Sequence, residues 1–158
     1  MFLGIDPGVR KLGYALIKDD LSIIDAGIVL INEKNLDREK YFQRMLEINN
    51  FFEEFLWKYK IKAIWMEKLF FTKFNQANAE FVFGMRWNVI IQALKNNIEI
   101  LEFTPTELKK NITGNWKAEK ILVQNFVMKI YWLKNMPQYN DSADALGLAF
   151  LAKRLYKE

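Results

Sequence analysis

The chain has 158 residues, 51% of them hydrophobic, with 23 Lys and Arg against 19 Asp and Glu for a net charge of +4. That is long enough to bury a core and too apolar for disorder, so residues 1–158 read as a single domain. Cysteine and histidine are both absent, which excludes disulfides, thiolate nucleophiles, Ser–His triads and imidazole-bound zinc. Any metal must rest on oxygen ligands, the preference of Mg²⁺ and Mn²⁺. No run approaches the roughly 20 apolar residues of a membrane span. The N-terminus reads directly as a strand rather than a signal peptide, so a cytoplasmic protein without membrane contact is expected. The mild basic balance fits a solvated surface or a polyanionic partner.

In chain order, "MFLGID" and "KLGYALIKDD" read as strands joined at Pro7-Gly8, and "LSIIDAGIVLI" as a third, together an antiparallel meander. From about Asn35 to Lys60 apolar residues recur at three- and four-residue steps, predicting an amphipathic helix. "IKAIWME" is a fourth strand, and a long helix follows over about Gln76 to Asn96, interrupted only by Gly84. "EILEFTP" is a short fifth strand stopped by Pro105. "TPTELKKNIT" starts a helix capped by Thr104 or Thr106. Gly114 separates it from a helix over "KAEKILVQNFVMKIYWL" that Pro137 ends, and "NDSADALGLAFLAKRLYK" closes the chain. This order predicts an α/β protein, a mixed sheet covered by helices.

Four carboxylates stand out. Asp6 and Glu67 each terminate an apolar strand, while Asp141 and Asp144 open the last helix three residues apart, on one face. Each has an ordinary explanation: Asp141 and Asp144 as an acidic capping box, Asp6 as a brace for its turn, Glu67 as a solvated strand end. Together they make another case. If strands 1 and 4 are parallel neighbours, Asp6 and Glu67 emerge side by side, and clustered carboxylates are costly unless a cation neutralises them. Two divalent ions about 4 Å apart on such a cluster serve phosphoryl transfer.

"LGIDPG" with "GYALI", "MEKLF", "FTPTELKKNITGNWKAEK" and "NDSADALGLAF" stand in the order seen in the RuvC Holliday junction resolvases, and nearly the whole chain resembles that family. The resemblance implies an RNase H-like fold with a five-stranded mixed sheet, three antiparallel strands then two parallel, flanked by helices. It implies a homodimer that cuts four-way DNA junctions by paired symmetric nicks, leaving a 5′-phosphate and a 3′-hydroxyl. Asp6, Glu67, Asp141 and Asp144 would be the catalytic carboxylates, holding two Mg²⁺ ions, with Mn²⁺ able to substitute. Phe70 matches the aromatic that stacks on an unpaired base near the crossover, and Lys109 and Lys120 match lysines beside the scissile strand. A branch-migration complex of RuvAB type is the partner the resemblance implies. In three places the chain departs from the pattern. Trp116 stands where the family usually has a second glycine, residues 70–84 align only with a gap, and Asp141 stands where some relatives carry histidine.

The residues themselves support DNA contact. Phe70, Phe71 and Phe74 lie beside Lys73 just past Glu67, an arrangement suited to base stacking as well as to a core, and Phe71 or Phe74 could serve in place of Phe70. Lys109, Lys110, Lys117 and Lys120 flank Gly114 as a basic loop. In the long helix Phe81, Phe83, Met85, Trp87, Ile90, Ile91 and Leu94 place apolar groups on more than one side, consistent with complete burial or a dimer interface. The competing readings are a nuclease of the same fold acting on other branches or RNA–DNA hybrids, a junction binder that does not cut, and an actin-like ATP-binding module. The last would need a second phosphate loop and lobe.

Overall fold

A computed structural model describes residues 1–7, 11–30, 37–68, 76–135 and 140–156, with the side chains at 30, 76–78, 140 and 141 outside the description. Strands β1 (Phe2–Pro7), β2 (Lys11–Ile17) and β3 (Ile23–Leu30) form the antiparallel meander. Strands β4 (Ala63–Glu67) and β5 (Glu99–Phe103) add parallel on the other side of β1, giving the order β3-β2-β1-β4-β5. Helices α1 (Arg38–Lys58) and α2 (Gln76–Lys95) cover one face. Helices α3 (Pro105–Thr113), α4 (Lys120–Ile130) and α5 (Asn140–Leu155) cover the other. Among the described residues no helix is long and apolar enough to cross a membrane.

Coverage of both faces explains why β1 and β4 read as continuous apolar runs rather than alternating ones. Leu3, Ile5, Ile64 and Met66 point toward α1 and α2, where they meet Phe52, Phe81 and Met85. Phe2, Ala63 and Trp65 point the other way, toward Leu146, Ala149 and Val127. Gly84 does not break α2. It lets α1 pack closely, with Met45 Sδ 3.3 Å from where a Cβ would stand.

Local chemistry sets the helix ends. Asp37 caps α1, accepting from Lys40 N–H at 2.9 Å. Thr104, not Thr106, caps α3, in a reciprocal box with Glu107 behind Pro105. The helix expected from Lys117 begins only at Lys120. Thr113 Oγ1 and Asn115 Oδ1 accept the N–H groups of Asn115 and Lys117, at 3.1 and 2.9 Å, and hold the backbone in a turn instead. That helix also stops at Ile130, well before Pro137, because Trp132 enters the left-handed region at φ 54°.

The packing that most affects the site is at Gly4. A Cβ there would lie 2.0 Å from Ala145 O and 2.5 Å from Ala149 N, so the backbone of α5 rests directly on β1. Neither clash is with a flexible side chain, and relief requires moving the helix. Gly4→Ala is therefore expected to lower unfolding stability by about 3 kcal/mol or more, at or above the upper end of ordinary overpacking. Urea denaturation checks this; an unchanged midpoint would mean that α5 moves off the strand at no cost.

Candidate active site

Parallel pairing of Ile5 with Met66 brings the next residues, Asp6 and Glu67, level at the ends of two central strands. Strand alternation puts Asp6 on the same face as Phe2 and Gly4, and Glu67 on that of Ala63 and Trp65, which is the face under α5. Both side chains are half-buried. The expectation that strands 1 and 4 run parallel and side by side is met.

Because α5 is seated on Gly4 through Ala145, Asp144 is carried to the same place. Its carboxylate is largely buried, 15% exposed, and Oδ2 lies 2.7 Å from Lys120 Nζ at the start of α4. Burial first, and the nearby Asp144 charge second, push the Glu67 carboxyl above its ordinary range, while Lys120 and Arg86 pull it down. Asp141 lies in the first turn of α5, which begins at Asn140, so it is not the cap residue; its side chain is outside the description. Among the described residues no three acidic side chains already stand close enough to cage a metal ion.

Sequence reading missed a second set of residues at this strand end. Arg86 of α2 is only 7% exposed. One arm of its guanidinium donates to the backbone oxygen of Glu67 and the other to the carboxylate of Glu102 on β5. Lys68 N–H donates to Phe103 O, tying the same two strand ends. Arg86 thus fixes the backbone that carries Glu67 from the side opposite α5. The available signal was one charged residue inside the apolar run "FVFGMRWNVII".

The basic loop is present. Lys110, Lys117 and Lys120 are exposed and Lys109 is half-buried at the end of α3. Lys120 pairs with Asp144 of the acidic cluster. Phe70, Phe71, Lys73 and Phe74 lie outside the described residues. In α2, Phe81 and Met85 are core residues, while Trp87, Ile91 and Leu94 remain exposed.

A five-stranded sheet of this order with strand-end acids under its last helix is the RNase H-like fold. The solved complex "T. thermophilus RuvC in complex with Holliday junction substrate" shares it, with a TM-score of 0.80 over 94% of this chain and 88% of that one at 23% identity. The family model "Crossover junction endodeoxyribonuclease RuvC" matches residues 2–152, and the chain belongs to that family. The crossover junction endodeoxyribonuclease RuvC of Fusobacterium nucleatum is 36% identical over 149 residues, covering 92% of this chain and 76% of that protein. The same enzyme of Ruminiclostridium cellulolyticum is 34% identical over 152 residues, covering 94% and 89%.

Two stability measurements probe the site. A raised Glu67 pKa means the folded state holds that proton more tightly than the unfolded chain does. The resulting stability is complete below the ordinary value of 4.5 and is lost as pH rises through the raised folded value. Without divalent ions, Glu67→Gln should therefore melt above wild type at pH 7, the gap closing toward pH 4.5; a lower melting temperature at pH 7 would contradict this. At the clamp, Glu102 is 39% exposed and can reach water, whereas Arg86 cannot. Glu102→Gln should cost about 1–2 kcal/mol by removing the charge partner of one arm of the buried Arg86, and Arg86→Met in the same chain should recover part of it in a double-mutant cycle.

Proposed function

We propose that this chain is a metal-dependent endonuclease that resolves four-way DNA junctions by paired nicks, as a homodimer. The observation that carries the reading is that Asp6 and Glu67 end adjacent parallel strands on the face under α5, the helix that carries Asp144 beside Lys120. The donor set fits a hard divalent cation: all the ligands are oxygen, they are partly withdrawn from water, and burial first, then the Asp144 charge, pushes the Glu67 carboxyl above its ordinary range. Asp6, Glu67 and Asp144, with Asp141 one turn away, would hold Mg²⁺ or Mn²⁺. Two such ions would supply an activated water and neutralise the leaving oxygen.

The chain's own groups do the rest. Lys120 stands close enough to the acids to bind a phosphate beside them, and Lys109, Lys110 and Lys117 extend that charge along the strand. Phe70, Phe71 and Phe74, with Lys73, follow Glu67 directly in the chain and would stack on bases at the crossover. Hydrolysis with the water attacking in line leaves a 5′-phosphate and a 3′-hydroxyl. The exposed Trp87, Ile91 and Leu94 of α2 lie outward of a seam where Met45 meets Gly84 and Asn88. Phe42 and Leu46, also exposed, flank Met45 on α1. That apolar face suits a second copy, which would present a matching site to the equivalent strand of a two-fold junction.

A labelled immobile four-way junction and its matched linear duplex, incubated with Mg²⁺, test the reading. Wild type is expected to place symmetric nicks on the junction and leave the duplex intact. Asp6→Asn should lose more than about a hundredfold in cutting rate, beyond the loss of an outer-shell partner, while still shifting the junction on a gel. Equal cutting of both substrates would make the protein a general nuclease on this fold, and binding without cutting in any divalent metal would remove the enzyme reading altogether.

A further inference from the structure

The loop between α3 and α4 is braced rather than slack. Gly114 turns through the left-handed region at φ 79° while its N–H donates to Lys110 O at 2.8 Å. Thr113 Oγ1 donates to Lys109 O at 2.8 Å and accepts from Asn115 N–H, and Asn115 Oδ1 accepts from Lys117 N–H. Ala118, buried, donates its N–H to Asn115 O at 3.1 Å. None of these bonds involves the side chain of Trp116. They fix the backbone on both sides of it, and the indole is left 57% exposed.

Lys117 Nζ lies 4.7 Å from the centre of that indole. The pair therefore joins a broad flat apolar face to a positive charge. Four residues further on, Lys120 reaches Asp144, so one end of the loop is tied to the acidic site. Lys110 is exposed on the other side of Gly114. A partner matching this surface has to bring flat aromatic faces spaced along a polyanion. A single-stranded stretch of nucleic acid has that chemistry, because each base offers a π-face and each linkage a negative charge.

We infer that Trp116 is a stacking platform for an unpaired nucleobase of the scissile strand, and that it biases which phosphodiester is cut. The inference rests on the reading of the loop lysines as DNA contacts. A glycine at this position would have no surface on which to stack. A base held on a ring whose backbone is fixed relative to Lys120 sets the register of the strand across the acids. Stacking tolerates any base yet strengthens with its area, so the bias would favour purines at the held position.

The test uses the full chain in EDTA with an immobile junction carrying 2-aminopurine, one position at a time, at the three nucleotides on either side of the cut. Wild type should quench one position beyond the free junction. Trp116→Ala should abolish that quench and weaken binding by about tenfold or more, whereas Trp116→Phe should keep most of both. On a mobile junction with Mg²⁺, Trp116→Ala should spread the cut sites and Trp116→Phe should not. The ring is exposed, so neither variant should shift the melting temperature. Lys109→Ala combined with Lys110→Ala separates this inference from the reading beneath it. If the lysine variant loses affinity while Trp116→Ala keeps the quench and the cut pattern, the stacking role is wrong and the loop still faces DNA. If neither variant alters binding, the loop faces elsewhere and both fail.

Discussion

The site depends on how closely α5 can lie on β1, and a missing Cβ at residue 4 decides that distance. Gly4 is two residues before Asp6 on the same face of the strand, and the helix atom resting on it belongs to Ala145, next to Asp144. One backbone contact therefore fixes a strand acid and a helix acid relative to each other. A helix held off by an ordinary side chain would carry Asp144 away from Asp6 and Glu67, and the metal site proposed on these acids would tolerate little such displacement. Glycine is costly inside a strand in entropy and in lost packing. Here the close seating of α5 offsets that cost.

The same seating places like charges together under a helix, an arrangement the fold tolerates through opposing cations. Glu67 is gripped from both faces of the sheet. Its carboxyl faces the α5 side, where burial and Asp144 resist ionisation, and its backbone oxygen accepts from Arg86 of α2 on the other side. Lys120 meets Asp144 directly. A chain selected for stability alone would replace Glu67 with an apolar residue. A carboxylate kept where burial opposes its ionisation trades stability for chemistry, as the cation site proposed above would require.

Much of this was legible in the sequence, and what was legible was local. The five strands, the helix order and the acids at strand ends follow from runs of a few residues read against periods of 2 and 3.6. The parallel neighbours β1 and β4 followed from element order. Three things were not legible. Arg86 reads as one charged residue in a helix, because its partners Glu67 and Glu102 are separated from it in the chain and join it only through the sheet. The start of α4 at Lys120 depends on side chains of Thr113 and Asn115 outcompeting helical bonds, which propensity does not register. The apolar positions of α2 divided between core and surface only once α1 occupied one side, leaving Phe81 and Met85 inside and Trp87 and Leu94 out.

Where local rules are broken, the break coincides with the site. Lys120 occupies the first residue of α4, the positive end of the helix dipole, where a cation is disfavoured by about 0.3–1 kcal/mol. Glu119 before it makes no side-chain cap, and the first turn holds no acid to compensate. Nothing within α4 accounts for a lysine there; Asp144 of α5 does. The 2.7 Å pair thus joins the first residue of α4 to the second turn of α5. Such a corner can accept a phosphate beside carboxylates that would otherwise repel it. The positive start of α4 and Lys120 would reconcile the acidic cluster with a polyanionic substrate, and Asp144 meets Lys120 there because Gly4 lets α5 lie so near the strand.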